Sequence, residues 1–404
     1  MTTGVRKYPD LKIIYIYVTN FYSRRIKMKK FLMIALAAIM AFSMAACGGG
    51  GGEEAAADDT MRVAMVTDYG DITDQSFNQT TYEACKEFCD ENSIEFTYKK
   101  PASDADADRI SSMEEAIEEG YNVIVMPGYA FAPAIRETAP SYPEVKFVAL
   151  DVSEWDLTHD GDNEVEFDGS NVYSAVYKEE LAGYMAGYAA VKLGYTKLGF
   201  LGGMAVPAVQ RYGYGFVQGA DAAAEEAGKS DVEIKYVYGG QFFGDADITA
   251  KMDTWYGAGT ECVFACGGGI FTSAAEAAAK TKGKVIGVDV DQAGIIDGAY
   301  GEGMTVTSAM KGLAPTVKTL LGAINEGKWD DYKGKIESLG LVSETAADNY
   351  VQLPESTQWA DGFQQADYDT LVKELFDGTR KVSDDITAMP AVKNIKVDDQ
   401  GAIK

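Results

Sequence analysis

A phenylalanine surrounded by carboxylates and amides is the feature of this chain that most suggests chemistry. The segment from Asp68 to Gln79 reads Asp-Tyr-Gly-Asp-Ile-Thr-Asp-Gln-Ser-Phe-Asn-Gln, so that Phe77 stands next to Asn78 and near three aspartates. A large ring gains nothing in a polar loop unless another group covers it. One interpretation is a ring that stacks on a flat ligand whose polar edge meets the acids and the amide. The alternative is a ring that tucks under its own helix as a hydrophobic staple.

The elements around this segment are those of an α/β domain. Residues 62–67 are apolar and β-branched, which predicts a buried strand, and a helix follows with Ser76 or Asn78 as its cap. Further strands are predicted at 95–99, 122–126, 146–150, 197–201, 233–237, 262–265 and 284–288, with helices between them. The alternation predicts parallel, right-handed βαβ units in two successive sets, with a cleft between the two lobes.

Polar or glycine residues follow several of these strands. They are Asp151, Gly202, Gly203, Gly267, Gly268, Gly269, Asp289 and Lys311. Each one alone is explained by a capping aspartate or a turn glycine. Because such groups recur at strand ends in both sets, we expect them to converge on the cleft between the lobes.

The N-terminal residues have the pattern of an export signal. Five basic residues lie between Arg24 and Lys30, residues 31–46 are uncharged, and Cys47 follows Met-Ala-Ala. We expect Met28 to be the true start, although residues 1–27 can instead be a genuine extension. Residues 48–60 are glycine-rich and then acidic, which predicts a flexible tether that anchors the protein to a membrane without spanning it.

The charge of the chain excludes one class of partner. The 404 residues carry a formal charge of −26, and without residues 1–46, which hold eight Lys or Arg and one Asp, the charge is −33. Such a surface repels phosphate backbones, so we expect no nucleic-acid binding. The same charge favours a soluble monomer.

Cysteine and histidine are too sparse for most catalytic or metal sites. Cys85 and Cys89, and Cys262 and Cys266, form two pairs whose spacing is poor for zinc, so we expect buried core thiols, although a disulfide between the pairs stays open. His159, the only histidine, lies in an acidic loop, which argues against Ser-His-Asp, Cys-His and histidine-metal chemistry. We expect no metal and no cofactor.

Several motifs together resemble the basic membrane protein family, the nucleoside-binding lipoproteins of ABC importers. The first is the segment from Asp68 to Gln79, and the second joins Gly-Gly-Met-Ala-Val-Pro-Ala-Val from residue 202 to Arg-Tyr-Gly-Tyr-Gly-Phe-Val-Gln-Gly from residue 211. Gly-Val-Asp-Val-Asp from residue 287 and Thr-Ser-Ala-Met-Lys from residue 307 follow in order. The resemblance implies a type I periplasmic binding protein, with two Rossmann-like lobes joined by a hinge.

We expect the following boundaries from this resemblance and from the strand pattern. A signal region covers residues 1–46, and the acylated cysteine and linker cover 47–60. Lobe 1 is predicted at 60–172 with 291–322, and lobe 2 at 173–290 with 323–404. The hinge is expected where the chain crosses, near residues 172, 291 and 323, and the lobes are expected to close over the ligand.

The resemblance also implies roles for individual residues. Phe77 matches a ring that stacks on the base, with Asp68 and Asn78 as polar contacts, and Asp151 matches a carboxylate that binds the ligand. Phe242 and Phe243 compete for the second stacking ring, and Phe243 is favoured. Asp289 matches the acid that holds the ribose hydroxyls and Lys311 the cation beside it, while the backbone at Gly268 is a candidate sugar contact. Cys47 matches the lipidation site.

These observations predict a function in solute capture rather than catalysis. The expected ligand is a nucleoside, with purines favoured by the resemblance, and the expected partners are an ABC permease and its ATPase at the extracytoplasmic face of the cell membrane. Aromatic rings can sandwich a base, and a carboxylate can accept two hydroxyl hydrogens. The alternatives are a sugar-binding or signalling receptor of the same fold and a carboxylate-dependent nucleoside hydrolase.

Overall fold

A computed structural model describes residues 60–68 and 70–403 of the chain. The predicted signal region, the lipidation site Cys47 and the linker lie outside the described residues. Among those that are described, no helix combines the length and the apolar character needed to cross a bilayer.

The first half of the described chain alternates strands and helices. The strands are β1 (Arg62–Val66), β2 (Glu95–Lys99), β3 (Val123–Pro127), β4 (Lys146–Leu150), the two short strands β5 (His159–Asp160) and β6 (Asn163–Glu164), and β7 (Val172–Tyr177). The helices between them are α1 (Phe77–Asn92), α2 (Asp106–Glu118), α3 (Ala132–Thr138) and α4 (Glu154–Thr158).

The second half repeats the alternation. Its strands are β8 (Lys197–Gly202), β9 (Glu233–Tyr238), β10 (Cys262–Cys266), β11 (Lys284–Asp289), β12 (Thr305–Lys311), β13 (Ile336–Leu339), β14 (Val351–Gln352) and β15 (Lys396–Ala402). Its helices are α5 (Glu179–Lys192), α6 (Pro207–Glu226), α7 (Ala246–Gly257), α8 (Phe271–Thr281), α9 (Ala293–Tyr300), α10 (Leu313–Asn325) and α11 (Gln365–Phe376).

Two larger sheets share one strand order, which confirms the predicted duplication. The six-stranded sheet runs β13-β7-β4-β3-β1-β2, and the seven-stranded sheet runs β14-β12-β11-β10-β8-β9-β15. The fifth, fourth, third, first and second strands of each set therefore stand side by side in both sheets, and they pair in parallel. We call the six-stranded sheet and the helices packed on it lobe 1, and the seven-stranded sheet and its helices lobe 2.

The central strands are buried on both faces, because helices cover each sheet from two sides. Every residue of β3 and of β10 is buried, which is why these strands are almost continuous apolar runs in the sequence. Alternate residues of β1 enter different cores, with Val63 and Met65 in one cluster and Ala64 and Val66 in another.

The sheet topology corrects the predicted lobe boundaries. Strand β12, assigned to lobe 1 by the 291–322 boundary, pairs with β11 in the second sheet, and β13, assigned to lobe 2, pairs with β7 in the first. Strand β7 itself pairs with β4 in lobe 1, and α10 packs against α1 of that lobe. The chain therefore passes between sheets after Tyr177, after Lys311 and between Leu339 and Val351, rather than near 172, 291 and 323.

Glycines allow α5 and α6 of lobe 2 to pack unusually close together. A Cβ atom on Gly215 would lie 2.1 Å from the carbonyl oxygen of Glu180, and one on Gly183 would lie 2.0 Å from the carbonyl oxygen of Tyr212. No Cβ atom can occupy such a position without moving the backbone. This contact matters for the site, because the first turns of α5 and α6 both reach the region between the lobes.

We expect Gly215→Ala to destabilise the protein, because its methyl group must push α6 away from α5. The free energy of unfolding should fall by roughly 1–3 kcal/mol or more, the usual cost of overpacking. Chemical denaturation without ligand measures this. The matched control is Gly298→Ala in α9, where a Cβ meets nothing within 4 Å and alanine should stabilise the helix by up to about 1 kcal/mol. Equal stability of Gly215→Ala and the wild type contradicts the packing argument.

Candidate functional site

A cavity of about 590 Å³ lies between the two lobes, at the carboxyl ends of their strands. The nine residues predicted for ligand binding all line it: Asp68, Phe77, Asn78, Asp151, Phe242, Phe243, Gly268, Asp289 and Lys311. These residues come from both lobes, and the first and last of them, Asp68 and Lys311, are 243 positions apart in the chain. The structure thus brings the predicted set together, while the contacts of each residue with a ligand stay predictions.

The loop before α1 is held by Asp74, which the sequence analysis did not single out. Its carboxylate accepts hydrogen bonds from the backbone N–H groups of Ser76, Asn78 and Gln79, at 2.9–3.0 Å. Ser76 is the N-cap residue, as predicted, but the expected capping hydrogen bond from its side chain is not formed, because Asp74 accepts from these free donors instead. Burial raises the pKa of Asp74, although these hydrogen bonds oppose that shift.

Asp74 also orients the side chain of Asn78. The Asn78 Nδ2 group donates to Asp74 Oδ2 at 3.2 Å, which leaves Oδ1 as the acceptor on the other side of the amide. That oxygen is buried and has no hydrogen-bond partner within the described chain. Asn78, which lines the cavity, therefore keeps a side-chain oxygen that can accept a further hydrogen bond.

Phe77 is the first residue of α1 and is half-buried in the cavity wall. The Lys311 ammonium lies 4.6 Å from the centre of the ring, a distance typical of a cation–π contact. A staple residue stands before the helix cap and packs on the first turn. Phe77 follows the N-cap residue and lines the cavity, so the staple interpretation does not fit its position.

Lys311, the last residue of β12, is the centre of a buried group of charges. Its Nζ atom lies 2.5 Å from Asp151 Oδ2, 3.4 Å from Glu179 Oε1 and 3.8 Å from Asp289 Oδ1. Arg211 Nε donates to the second oxygen of Glu179 at 2.6 Å. These five residues, which we call the charge cluster, hold three carboxylates and two cations, and their side chains are between 0% and 18% exposed.

Two aspartates of the charge cluster occupy equivalent places in the two lobes. Asp151 follows β4 and Asp289 ends β11, and these are the fourth strands of their sets. Both have left-handed backbone conformations, with φ of 61° and 65°. Non-glycine residues adopt this conformation at a cost, and such residues concentrate at functional sites.

Direct contacts across the cavity join the lobes. Ser76 Oγ donates to Asp289 Oδ2 at 2.5 Å, and Gln292 Nε2 donates to the carbonyl oxygen of Gln75 at 3.1 Å. The ion pair of Lys311 with Asp151 is a third contact of this kind. Lobe 1 and lobe 2 are therefore close to each other at the cavity in this structure.

Burial dominates the protonation of the charge cluster. It raises the pKa of Asp151 to about 6, because the loss of hydration outweighs the attraction of Lys311. Burial likewise raises the pKa of Asp289. The pKa of Lys311 is also raised, because its three carboxylate neighbours outweigh its own burial. These directions agree with a cluster that carries one more carboxylate than cations.

The two candidate rings of lobe 2 differ in their surroundings. Phe242 is half-buried, and its ring lies where a Cβ atom of Gly203 or Gly267 would be, within 2.3–2.8 Å. Phe243 is 54% exposed at the cavity. Gly267 and Gly268 have positive φ angles, and Gly269 N donates to Phe242 O at 2.8 Å. The absence of side chains at these glycines therefore allows Phe242 to pack against them.

Three buried polar atoms without a hydrogen-bond partner within the described chain belong to residues that line the cavity. They are Asn78 Oδ1, Asp151 Oδ1 and Tyr212 OH. Buried polar groups are nearly always paired, and leaving one unpaired costs about 1–3 kcal/mol. These three atoms are therefore candidates for hydrogen bonds with a polar solute in the cavity.

Among the described residues that were considered for catalysis or metal binding, Cys266 lines the cavity and the others do not. His159 stacks on Trp155, with ring centroids 3.4 Å apart, and it does not line the cavity in the described structure. Cys85, Cys89, Cys262 and Cys266 are buried free thiols, and burial raises the pKa of Cys89 to about 12. No cluster of possible metal ligands occurs among residues 60–68 and 70–403.

Sequence reasoning missed Glu179, Arg211 and Tyr212 as parts of the site. Arg211 and Tyr212 belong to the second resemblance motif, but nothing in that motif marks them as cavity residues. Glu179 follows a crossing strand and begins a helix, where an acid is ordinary.

Comparisons with known proteins agree with this architecture. Residues 61–357 match the model of the Bmp family, described as "ABC transporter substrate-binding protein PnrA-like". The chain is 29% identical over 288 residues to the "ABC transporter nucleoside-binding protein BmpA" of Lactococcus lactis, covering 67% of this chain and 76% of that protein. It is 26% identical over 309 residues to "Basic membrane protein B" of Borreliella burgdorferi, covering 74% of this chain and 82% of that protein.

Solved structures confirm the predicted type I periplasmic binding protein fold. An ABC transporter solute-binding protein from Aeropyrum pernix superposes with a TM-score of 0.61 at 21% identity, covering 77% of this chain and 85% of that one. One from Conexibacter woesei superposes with a TM-score of 0.59 at 19% identity, covering 80% and 99%. At such identities the likeness concerns the fold.

The raised pKa of Asp151 predicts a pH-dependent stability. The pKa is about 6 in the folded protein against an ordinary 3.8, so between these values the folded state binds more protons than the unfolded chain. The free energy of unfolding therefore falls as the pH rises through this window, by up to about 3 kcal/mol in total. Chemical denaturation of ligand-free protein at a series of pH values should show that Asp151→Asn loses this contribution.

The matched control for this prediction is Asp160→Asn, at a side chain that is 78% exposed. Its pH profile should run parallel to that of the wild type. If the profile of Asp151→Asn also runs parallel, Asp151 has an ordinary pKa and the burial argument is wrong.

Proposed function

Because this chain belongs to the Bmp family of PnrA-like ABC transporter substrate-binding proteins, we propose that its cavity captures a nucleoside, with purine nucleosides preferred. The family consists of solute-binding proteins rather than enzymes. The ligand class is supported by the relative from Lactococcus lactis, whose name includes nucleoside binding. The remaining support comes from the side chains of the cavity.

The observation that carries the proposal is the position of Phe77. Its ring forms part of the cavity wall, and the carboxylates of Asp151 and Asp289 line the same cavity. The next residue, Asn78, has a side-chain oxygen without a partner in the part of the chain that the structure describes. A nucleoside combines a flat base, which stacks on such a ring, with a sugar whose hydroxyl groups donate to carboxylates. The volume of about 590 Å³ lies within the range of roughly 300–1,000 Å³ that is usual for small-molecule sites.

The charges of the cavity favour a nucleoside over a nucleotide. Six aspartates and three basic side chains line it. Each basic side chain already has a carboxylate partner, since Lys100 Nζ lies 3.0 Å from Asp71, Arg211 pairs with Glu179, and Lys311 pairs with Asp151. A phosphate needs cations of its own, so it would meet net repulsion here.

The delivery pathway follows from the predicted N-terminal segment. In this proposal the signal is cleaved before Cys47, the thiol is acylated, and residues 48–60 tether a monomeric receptor to the extracytoplasmic face of the cell membrane. The receptor then delivers its ligand to an ABC permease with its ATPase. Stable anchoring by acyl chains requires more than one chain or a second signal.

Replacing Cys47 tests the anchor. We expect Cys47→Ser, expressed in a bacterium from the full chain, to lose incorporation of labelled palmitate and to leave the detergent phase on phase partitioning, because no thiol remains to be acylated. Cys89→Ser is the control, since that thiol is buried and free. Undiminished labelling of Cys47→Ser contradicts the proposed lipidation site.

Replacing Phe77 tests the ligand class. Titration calorimetry with inosine should show saturable binding to the wild type and binding roughly tenfold or more weaker to Phe77→Ala, because stacking contributes about 1–3 kcal/mol per base. The melting temperature of the ligand-free protein should change little. A large loss of thermal stability with unchanged affinity contradicts the stacking role.

Two further arms of this experiment sharpen the assignment. Phe243→Ala should weaken inosine binding without loss of stability, because its ring is 54% exposed, whereas Phe242→Ala should lower stability, because its ring packs on glycines. Hexoses should not displace inosine. A wild type that binds hexoses and no nucleoside overturns the proposal in favour of a sugar receptor.

A further inference from the structure

Arg211 lies in the cavity wall with much of its hydrogen-bonding capacity unused. It is in the second turn of α6, its side chain is 18% exposed, and it lines the cavity. Within the described residues, its side chain makes one hydrogen bond, from Nε to Glu179. A guanidinium has five N–H donors in a fixed plane, so both terminal amino groups remain for a partner in the cavity.

Glu179 binds this guanidinium from outside the cavity. It is completely buried and does not line the cavity, and its two oxygens contact two cations that do. Oε2 accepts from Arg211 at 2.6 Å, and Oε1 lies 3.4 Å from Lys311 Nζ. Glu179 is the first residue of α5, directly after the crossing from lobe 1, so its position is set by the backbone that joins the lobes.

Arg211 adds N–H donors to a cavity that is rich in acceptors. The six aspartates of the cavity are acceptors when they are ionised, and the Asn78 side chain is oriented so that its oxygen is free to accept. A nucleoside also presents acceptors, namely the oxygens of its sugar and the nitrogens and carbonyl oxygens of its base. These acceptors need N–H or O–H groups, and Arg211 lies beside Tyr212, whose buried hydroxyl has no partner in the described structure.

We propose that Arg211 is a ligand-contacting donor and that Glu179 is the positioning residue that orients both Arg211 and Lys311. Glu179 pairs with Arg211 and adds a second carboxylate beside Lys311, and in this way it also determines specificity, because it lowers the attraction of both cations for phosphate. This inference rests on the proposed nucleoside function. It differs from a purely structural ion pair between α5 and α6, which would stabilise the fold and leave ligand preference unchanged.

Glu179→Gln separates these possibilities, and Glu180→Gln is its matched control. Glu180 is the next residue on α5, is 5% exposed, and does not line the cavity. The two variants therefore replace neighbouring buried acids, and only Glu179 forms ion pairs with Arg211 and Lys311. Affinities for inosine and for inosine 5′-monophosphate are measured by calorimetry, together with the melting temperature of each ligand-free variant.

We expect Glu179→Gln to bind inosine roughly tenfold or more weakly, since it loses the charge that orients both donors. Binding of the monophosphate should stay constant or strengthen, so that the ratio of the two affinities shifts by roughly tenfold or more towards the phosphate. Glu180→Gln should keep the wild-type ratio. A lower melting temperature with an unchanged ratio for Glu179→Gln overturns the specificity role.

If Glu179→Gln does not fold, variants of Arg211 test the proposed ligand contact directly. Arg211→Met should lose inosine affinity by roughly tenfold, and Arg211→Lys should recover only part of it, because a lysine has the charge without the planar fork. Lys318→Met, at an exposed pair with Glu87, is the control for a lost surface cation. Arg211→Met with wild-type affinity for inosine overturns the contact.

The outcome for the wild type is separate from this inference. A wild type that binds no nucleoside contradicts the proposed function. A wild type that binds inosine, with Arg211→Met and Glu179→Gln unchanged in affinity and preference, contradicts the present inference and leaves the proposed function intact.

Discussion

The burial of the Lys311 ammonium is the constraint on which the site depends. An isolated ammonium cannot be taken out of water without a large penalty, so its carboxylate neighbours must be in place whenever the lobes are together. Those neighbours come from the end of β4, the start of α5 and the end of β11. Three carboxylates, one from each sheet and one from a crossing segment, must therefore lie within about 4 Å of the Lys311 ammonium.

The duplicated fold explains how these carboxylates meet. Both sheets have the same strand order, so the fourth strand of each set ends at the same level of its lobe. Asp151 and Asp289 occupy these ends with the same left-handed backbone, which costs of order 1–3 kcal/mol at each residue. Lys311 ends the neighbouring fifth strand of lobe 2. The repeat thus supplies two acids in related positions, and the third, Glu179, is added by the connection between the lobes.

Strand positions and the cavity residues could be predicted from the sequence, whereas sheet membership could not. Buried parallel strands are continuous apolar runs bounded by turns, and ligand-binding residues follow them, so both signals are local. Which sheet β12 or β13 joins depends on long-range pairing, so the boundaries at 291–322 and 323–404 were wrong. Asp74 was missed as the cap because several neighbouring residues can accept the same donors, and Glu179 because an acid at a helix start is usually exposed.

In our proposal, ligand preference and lobe closure depend on the same ions. The chain crosses between lobes next to Glu179 and directly after Lys311, so a rotation of the lobes must change the distance from Lys311 to Asp151. A proposed opening of the lobes would hydrate both groups, whereas in the described structure Asp151 Oδ1 is buried without a partner. A neutral solute with hydroxyl groups supplies the missing donor without adding charge. An anion would add charge to a cluster that already has one carboxylate in excess, and would therefore oppose the closure that a neutral solute favours.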